Sequence, residues 1–283
     1  MNNIRTFKEE IEKDICKLYQ EEGQTLTFIS RMYHCRIEAI KNVLEKYEIP
    51  IKRRGLSKNR TMQEDFFDII DSEEKAYFLG LMFSDGSVTL DKSGKRSPQI
   101  RLQLKISDIH ILQNFRTLLN IHSNLTYDKR KGKESACLSF RSKHMADTLS
   151  KYGIVPNKTY LTKHLPEVPE LFLKHFLRGL LDGDGSIYQE KKSQKFRVDF
   201  CSYHKSICED FRNLCNTFLE KRNTNIIANY GTAYHIRFNS QDSVKQLVTV
   251  LYKDSKISLA RKYSLAERIF EDKNEEDIVY SDH

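Results

Sequence analysis

Two Asp-Gly pairs, Asp85-Gly86 and Asp184-Gly185, each follow directly on a largely apolar stretch. Phe78-Leu-Gly-Leu-Met-Phe-Ser84 precedes the first and Leu177-Arg-Gly-Leu-Leu-Asp-Gly183 the second. Such stretches read as helices, and a glycine at the stop is expected to take the left-handed conformation that helix ends favour. The aspartate is out of place there. The carbonyl end of a helix is already partly negative, so an anion beside it costs roughly 0.3–1 kcal/mol. Gly80 and Ser84 in the first stretch, and Gly179 and Gly183 in the second, put small residues four apart. That spacing makes a flat face on which two helix backbones approach closely. Helices meeting there bring Asp85 and Asp184 side by side, and two carboxylates at two negative helix ends demand a cation. Hard, oxygen-ligated Mg²⁺ suits them, with Mn²⁺ as a substitute, and the chemistry in outline is metal-assisted phosphodiester hydrolysis.

The misfit occurs twice because the chain repeats itself. Phe78–Val88 answers Leu177–Ile187, Phe115-Arg-x-Leu-x-Asn120 answers Phe211-Arg-x-Leu-x-Asn216, and Leu138–Ser142 answers Ile236–Ser240, in the same order and spacing. Two copies at a period of about 95–100 residues amount to a twofold dimer fused into one chain. Each copy reads as helix, two strands, helix, two strands, helix. In the first, Gln99–Ile106 alternates strictly, turning Gln99, Arg101, Gln103 and Lys105 outward. In the second, Lys195, Arg197 and Asp199 alternate with Phe196, Val198 and Phe200, while His235, Arg237 and Asn239 face outward from Tyr234–Asn239. With Arg141 in the segment that answers the latter, these are side chains that pair with base edges: Arg and Lys with guanine, Gln and Asn with adenine.

The elements around the repeats fit the same partner. Residues 7 to about 48 read as three short helices, with Thr25 or Thr27 able to cap the second and Ile37, Ile40, Val43 and Leu44 striping the third. This predicts a helix-turn-helix whose third helix offers Arg36, Lys41 and Asn42 to a major groove. A basic run follows, with Lys52, Arg53 and Arg54 suited to phosphates. The domain plan is therefore a helix-turn-helix over 1–50, a basic linker over 51–72, repeats over 73–165 and 166–270, and an acidic flexible tail over 271–283.

The 283 residues carry 47 Lys and Arg against 39 Asp and Glu, a formal charge of +8 that suits a polyanionic partner. Hydrophobic residues at 39% support a globular core, and no apolar run has the length of a membrane span or signal peptide. The expectation is an unexported cytoplasmic monomer with no membrane partner. The six cysteines form no C-x-x-C pair, the nine histidines form no H-E-x-x-H pattern, and no glycine-rich loop with a following Lys is present. Zinc, disulfide-scaffold and nucleotide-binding classes are thereby set aside.

The paired signatures, Phe78–Gly86 and Leu177–Gly185, resemble the LAGLIDADG homing endonucleases, and the resemblance extends from Glu74 through Ile269. It implies an α+β fold of two pseudo-symmetric αββαββα repeats forming a saddle-shaped DNA-binding sheet, here preceded by the small all-α domain. It implies metal ligands at Asp85 and Asp184, with Gly86 and Gly185 counted beside them, and cleavage of both strands across the minor groove of a long asymmetric target. Phe83 departs from the signature, which has an earlier, mainly structural Asp that Asp182 supplies in the second copy. Basic residues near the end of each repeat act on the scissile phosphate or its water in that family, and the resemblance puts Lys158 and Lys262 in that role. It also implies a mobile genetic element such as an intron. The alternative on the same scaffold is a catalytically silent DNA-binding regulator or an intron RNA splicing factor.

Overall fold

Apolar side chains at helical and alternating spacing pack into two separate cores in the computed structural model, which describes residues 7–21, 23–51, 62–130, 132 and 134–271. The chain divides accordingly into Met1–Arg60 and Thr61–His283. Lys52, Arg53, Arg54 and the acidic tail beyond Glu271 lie outside the described residues.

In the first unit, α1 (Glu9–Gln20), α2 (Leu26–Met32) and α3 (Ile37–Lys46) bury Ile15, Leu18, Ile29, Ile40, Val43 and Leu44 together. Thr25 caps α2 by accepting from the Phe28 amide, satisfying one of the donors that a helix start leaves over. Buried Glu12 accepts from Lys46 Nζ at 2.6 Å and from the Tyr47 hydroxyl, tying α1 to the end of α3. Arg36 and Asn42 are exposed, and half-buried Lys41 is paired with Glu38 one turn back.

The second unit begins earlier than expected. Met62, Phe66, Phe67 and Ile70 are buried in its core, so residues 62–70 are not linker as the sequence reading had it. Met62, Phe66 and Ile70 recur every fourth residue with Phe67 beside them, a helical spacing that the preceding basic run obscured, and the segment settles on the core as a series of turns. Beyond them come α4 (Glu73–Ser84), β1 (Gly86–Thr89), β2 (Gln99–Lys105), α5 (Ile109–Leu118), β3 (Thr126–Asp128), β4 (Ser135–Arg141), α6 (Lys143–Lys151) and the single turn α7 (Lys158–Leu161). The plan then recurs as α8 (Glu170–Asp184), β5 (Gly185–Gln189), β6 (Phe196–Ser202), α9 (Lys205–Cys215), β7 (Ala228–Tyr230), β8 (Ala233–Phe238) and α10 (Gln241–Tyr252), closed by α11 (Ala260–Glu271).

The two antiparallel sheets have matching orders, β1-β2-β4-β3 and β5-β6-β8-β7. Their registers match too: Ile100 and Leu102 lie opposite Phe140 and Leu138, as Val198 and Phe200 lie opposite Phe238 and Ile236. These apolar residues face the helices, and a stacked aromatic pair joins α4 to α5 in the first repeat, Phe78 on Phe115 at 4.2 Å, and β6 to α9 in the second, Phe200 on Phe211 at 4.0 Å. Among the described residues no helix is long and apolar enough to cross a membrane.

A buried Arg holds α8 against the start of α4. Arg178, 1% exposed, donates to the Ile257 and Leu251 carbonyls at 2.9 and 2.7 Å and to Glu73 at 2.7 Å. His175 Nδ1 lies 3.0 Å from its NH1, so the imidazole is an acceptor and must be neutral. Burial, then the Arg178 charge, depress the His175 pKa to about 4. The unfolded chain therefore binds the extra proton first as pH falls. The contribution is complete above about 6.5 and lost as pH drops toward 4. A His175→Asn variant is expected to show a shallower fall in urea-unfolding stability across that window, and an unchanged slope would refute the assignment.

Candidate nucleic-acid cleavage site

Gly80 and Gly179 bring α4 and α8 into backbone contact. A Cβ on Gly179 would stand 2.1 Å from the Tyr77 carbonyl oxygen, and one on Gly80 would stand 2.2 Å from that of Phe176. At Gly183 the same atom would strike the Ser84 side chain at 2.3 Å. Gly80, Ser84, Gly179 and Gly183 thus lie where α4 and α8 meet, with the Ser84 hydroxyl donating across to the Leu180 carbonyl. Alanine favours a helix over glycine by roughly 1 kcal/mol, yet here it must push two backbones apart. Gly179→Ala is expected to lower stability to urea by about 1–3 kcal/mol; a more stable variant would show that the helices are not in contact.

This contact sets Asp85, the last-turn cap of α4, beside Asp184, the final residue of α8. Both carboxylates reach solvent, but protein crowds their remaining sides. Loss of hydration, then the facing Asp184, hold the Asp85 pKa up at about 6, against the pull of Lys158, Lys262 and Arg261. Burial likewise raises Asp184, opposed by Lys158 and, more weakly, by the neighbouring Ser84 side chain. Two acids that each resist ionisation at close quarters form a site short of positive charge.

The residues fit a hard divalent cation. Among the described residues no group of three or more His, Cys, Asp or Glu converges. The donor set is therefore two carboxylates with room for water, which is how Mg²⁺, reluctant to dehydrate, is commonly held. Gly86 and Gly185 have another reason to be glycine than the expected left-handed turn. Neither has a positive φ, and Gly185 is extended at φ −112, ψ 175. Each opens a strand so close to its helix that a Cβ would meet the Met82 oxygen at 2.5 Å or the Leu181 oxygen at 2.7 Å. The Gly185 carbonyl already accepts from Lys262.

The two lysines are not equivalent. Half-buried Lys158 donates from Nζ to the Ser84 carbonyl at 2.7 Å and lies within the field of both acids. Burial lowers its pKa, and Asp184 and Asp85 raise it. Lys262, 2% exposed, donates to the carbonyls of Leu181, Asp182 and Gly185, the second at 2.8 Å and the third at 2.7 Å. Its three protons cap the end of α8, supplying positive charge where the helix is negative. Burial brings its pKa down to about 8.

Asp182, at the signature position where the first copy has Phe83, is fully enclosed. It accepts from the hydroxyls of Tyr77 at 2.9 Å and Tyr252 at 2.7 Å and from the Leu259 amide at 2.9 Å. Its role is to join α4, α8, α10 and the segment leading to α11.

On the sheets, Arg101, Gln103, Lys105 and Arg141 are exposed at outward positions and Gln99 is half-buried. Gln99 donates to Ser139 at 2.7 Å and Gln103 to Ser135 at 2.8 Å. In the second repeat Lys195 and Asn239 are exposed just outside their strands, and Arg197 bonds the Asn239 carbonyl at 2.9 Å. His235 and Arg237 are half-buried because Asp199, read from the sequence as outward and exposed, lies beneath them. Alternation assigns Asp199 its face, but only the register shows what covers it.

Residues 172–251, within α8 to α10 of the second repeat, match the family model described as a LAGLIDADG-like domain. No curated protein matches the chain. Among solved structures it is similar to the LAGLIDADG meganuclease I-AabMI bound to uncleaved DNA, at 13% identity and a TM-score of 0.43 over 68% of this chain and 87% of that one. It is also similar to the meganuclease I-SmaMI bound to uncleaveable DNA, at 12% identity and 0.47 over 70% and 90%. Mesophilic variants of the homing endonuclease I-DmoI are similar at 16% identity and 0.48 over 69% and 97%.

Proposed function

We propose that the protein is a sequence-specific endonuclease that cuts both strands of duplex DNA, with Mg²⁺ held by Asp85 and Asp184. The observation that carries this reading is the meeting of the two acids at the ends of glycine-packed helices, with a four-stranded sheet attached to each. Polar, largely basic sheet faces suit the groove edges and backbone of a duplex, and one acid per repeat suits one cut per strand.

A divalent ion bound there supplies Lewis-acid stabilisation of the charge that develops on the phosphate oxygens. The chain's own residues do the rest. Lys262 holds the helix end in place, and Lys158 keeps two ammonium protons for a phosphate oxygen or its attacking water. Bases are read by Gln99, Arg101, Gln103, Lys105 and Arg141 on one side and by Lys195, Arg197, His235, Arg237 and Asn239 on the other. Arg36, Lys41 and Asn42 of the N-terminal helices, with Lys52, Arg53 and Arg54, add contacts that lengthen the target and raise affinity through linkage. The protein works as a monomer on a long asymmetric site and belongs to a mobile element.

Incubating the protein with its flanking genomic DNA, with and without Mg²⁺, tests the reading. Linear product cut at one position only when Mg²⁺ is present is the expected result. Specific binding without cutting would instead make the chain a regulator.

A further inference from the structure

A carboxylate lies under two basic groups on the outward face of the second sheet. Asp199, 7% exposed, stands in β6 directly opposite Arg237 in β8. One of its oxygens accepts from Arg237 Nε at 2.7 Å, and the other lies 2.8 Å from His235 Nδ1. Tyr230 in β7 completes the cluster, its ring centre 5.2 Å from the guanidinium carbon and 5.2 Å, edge-on, from the His235 ring. At the matching register the first sheet places Arg101 opposite Ser139, with no acid.

A buried acid is costly unless it is paired, and on a face turned toward phosphates it also repels the ligand. Compensation comes from geometry. The Nε bond and the Tyr230 ring fix the plane of the guanidinium, while the Arg237 side chain stays 42% exposed, leaving its two terminal amino groups to a ligand. That two-pronged fork matches O6 and N7 of guanine in a major groove, and an orientation fixed beforehand reduces the entropy lost on binding. We propose that Arg237 reads one guanine of the target and that Asp199 is its positioning residue. The proposal rests on the DNA-binding reading and names the base that this part of the sheet demands.

The test is selection of bound duplexes from a random library by the full chain in Ca²⁺, comparing wild type with Arg237→Gln, Arg237→Lys and Asp199→Asn. The wild type is expected to enrich a site containing one guanine whose replacement weakens binding about 5- to 150-fold. Arg237→Gln and Arg237→Lys should lose the preference at that position alone, although the Lys variant keeps the charge. Asp199→Asn should weaken the same preference and leave the other positions unchanged. An acid that merely staples the sheet would instead weaken every position alike in the Asp199→Asn protein, which overturns the proposal. An enriched site whose guanines ignore both residues overturns it too, while leaving the nuclease reading intact. No enriched site in the wild type would overturn both.

Discussion

Asp85→Asn and Asp184→Asn should each lower double-strand cleavage by about a thousandfold or more, the scale set by losing several kcal/mol of metal-derived transition-state stabilisation. Asn keeps the volume and one carbonyl oxygen of the acid but removes the charge that attracts a divalent ion. Nothing else in the site replaces it, since no other acid, His or Cys among the described residues completes a cluster there. The helix contact is unaffected, because Gly80, Gly179 and Gly183 make it with backbone and with Ser84. DNA binding should therefore survive, and tighten slightly in metal-free buffer, where the two unscreened carboxylates oppose the phosphates. Single-turnover conversion of a target plasmid to linear form measures the first effect, and gel shift in EDTA, without divalent metal, measures the second. Cutting by the double variant within tenfold of wild type would remove both acids from the mechanism.

Asp182→Ala should cost about 3–5 kcal/mol of stability, the penalty for breaking a buried charged network by deleting one partner. The change leaves the Tyr77 and Tyr252 hydroxyls and the Leu259 amide without their acceptor in a region closed to water. It also strips Lys262 of a buried counter-charge that is the strongest influence holding that ammonium protonated. For a unit of this size the loss corresponds to a fall in Tm of about 6–20 °C. Thermal unfolding followed by circular dichroism checks it. A shift of under a degree or two would mean that Asp182 is not the hub the hydrogen bonds describe, and that its place in the signature needs a chemical explanation.

How much of this was legible beforehand varied with the kind of signal. The helix interface and the paired acids stood out because an electrostatically unfavourable residue and its small neighbours occur twice at one spacing. Strict alternation likewise fixed the faces of Gln99–Lys105 and of Ala233–Phe238. Partners were another matter. Lys262 sits in a polar stretch with Arg261 on one side, where a phosphate contact and a buried helix cap look the same until the fold brings three carbonyls to it. Asp199 carried the correct face but not its cover, because that depends on β8 pairing in one register and no other. The glycines after each acid were correctly marked as obligatory for the wrong reason: crowding by the preceding turn, not a left-handed backbone, excludes a side chain.

Cleavage by this site requires Asp85 and Asp184 to share divalent metal, and anomalous scattering from Mn²⁺ in crystals of the protein with its target duplex locates that metal directly. Mn²⁺ peaks ligated by the carboxylates of both residues, between the two helix ends and against the DNA phosphates, are the predicted outcome. Metal bound elsewhere, or duplex seated on the sheets with no metal at the paired acids, would contradict it.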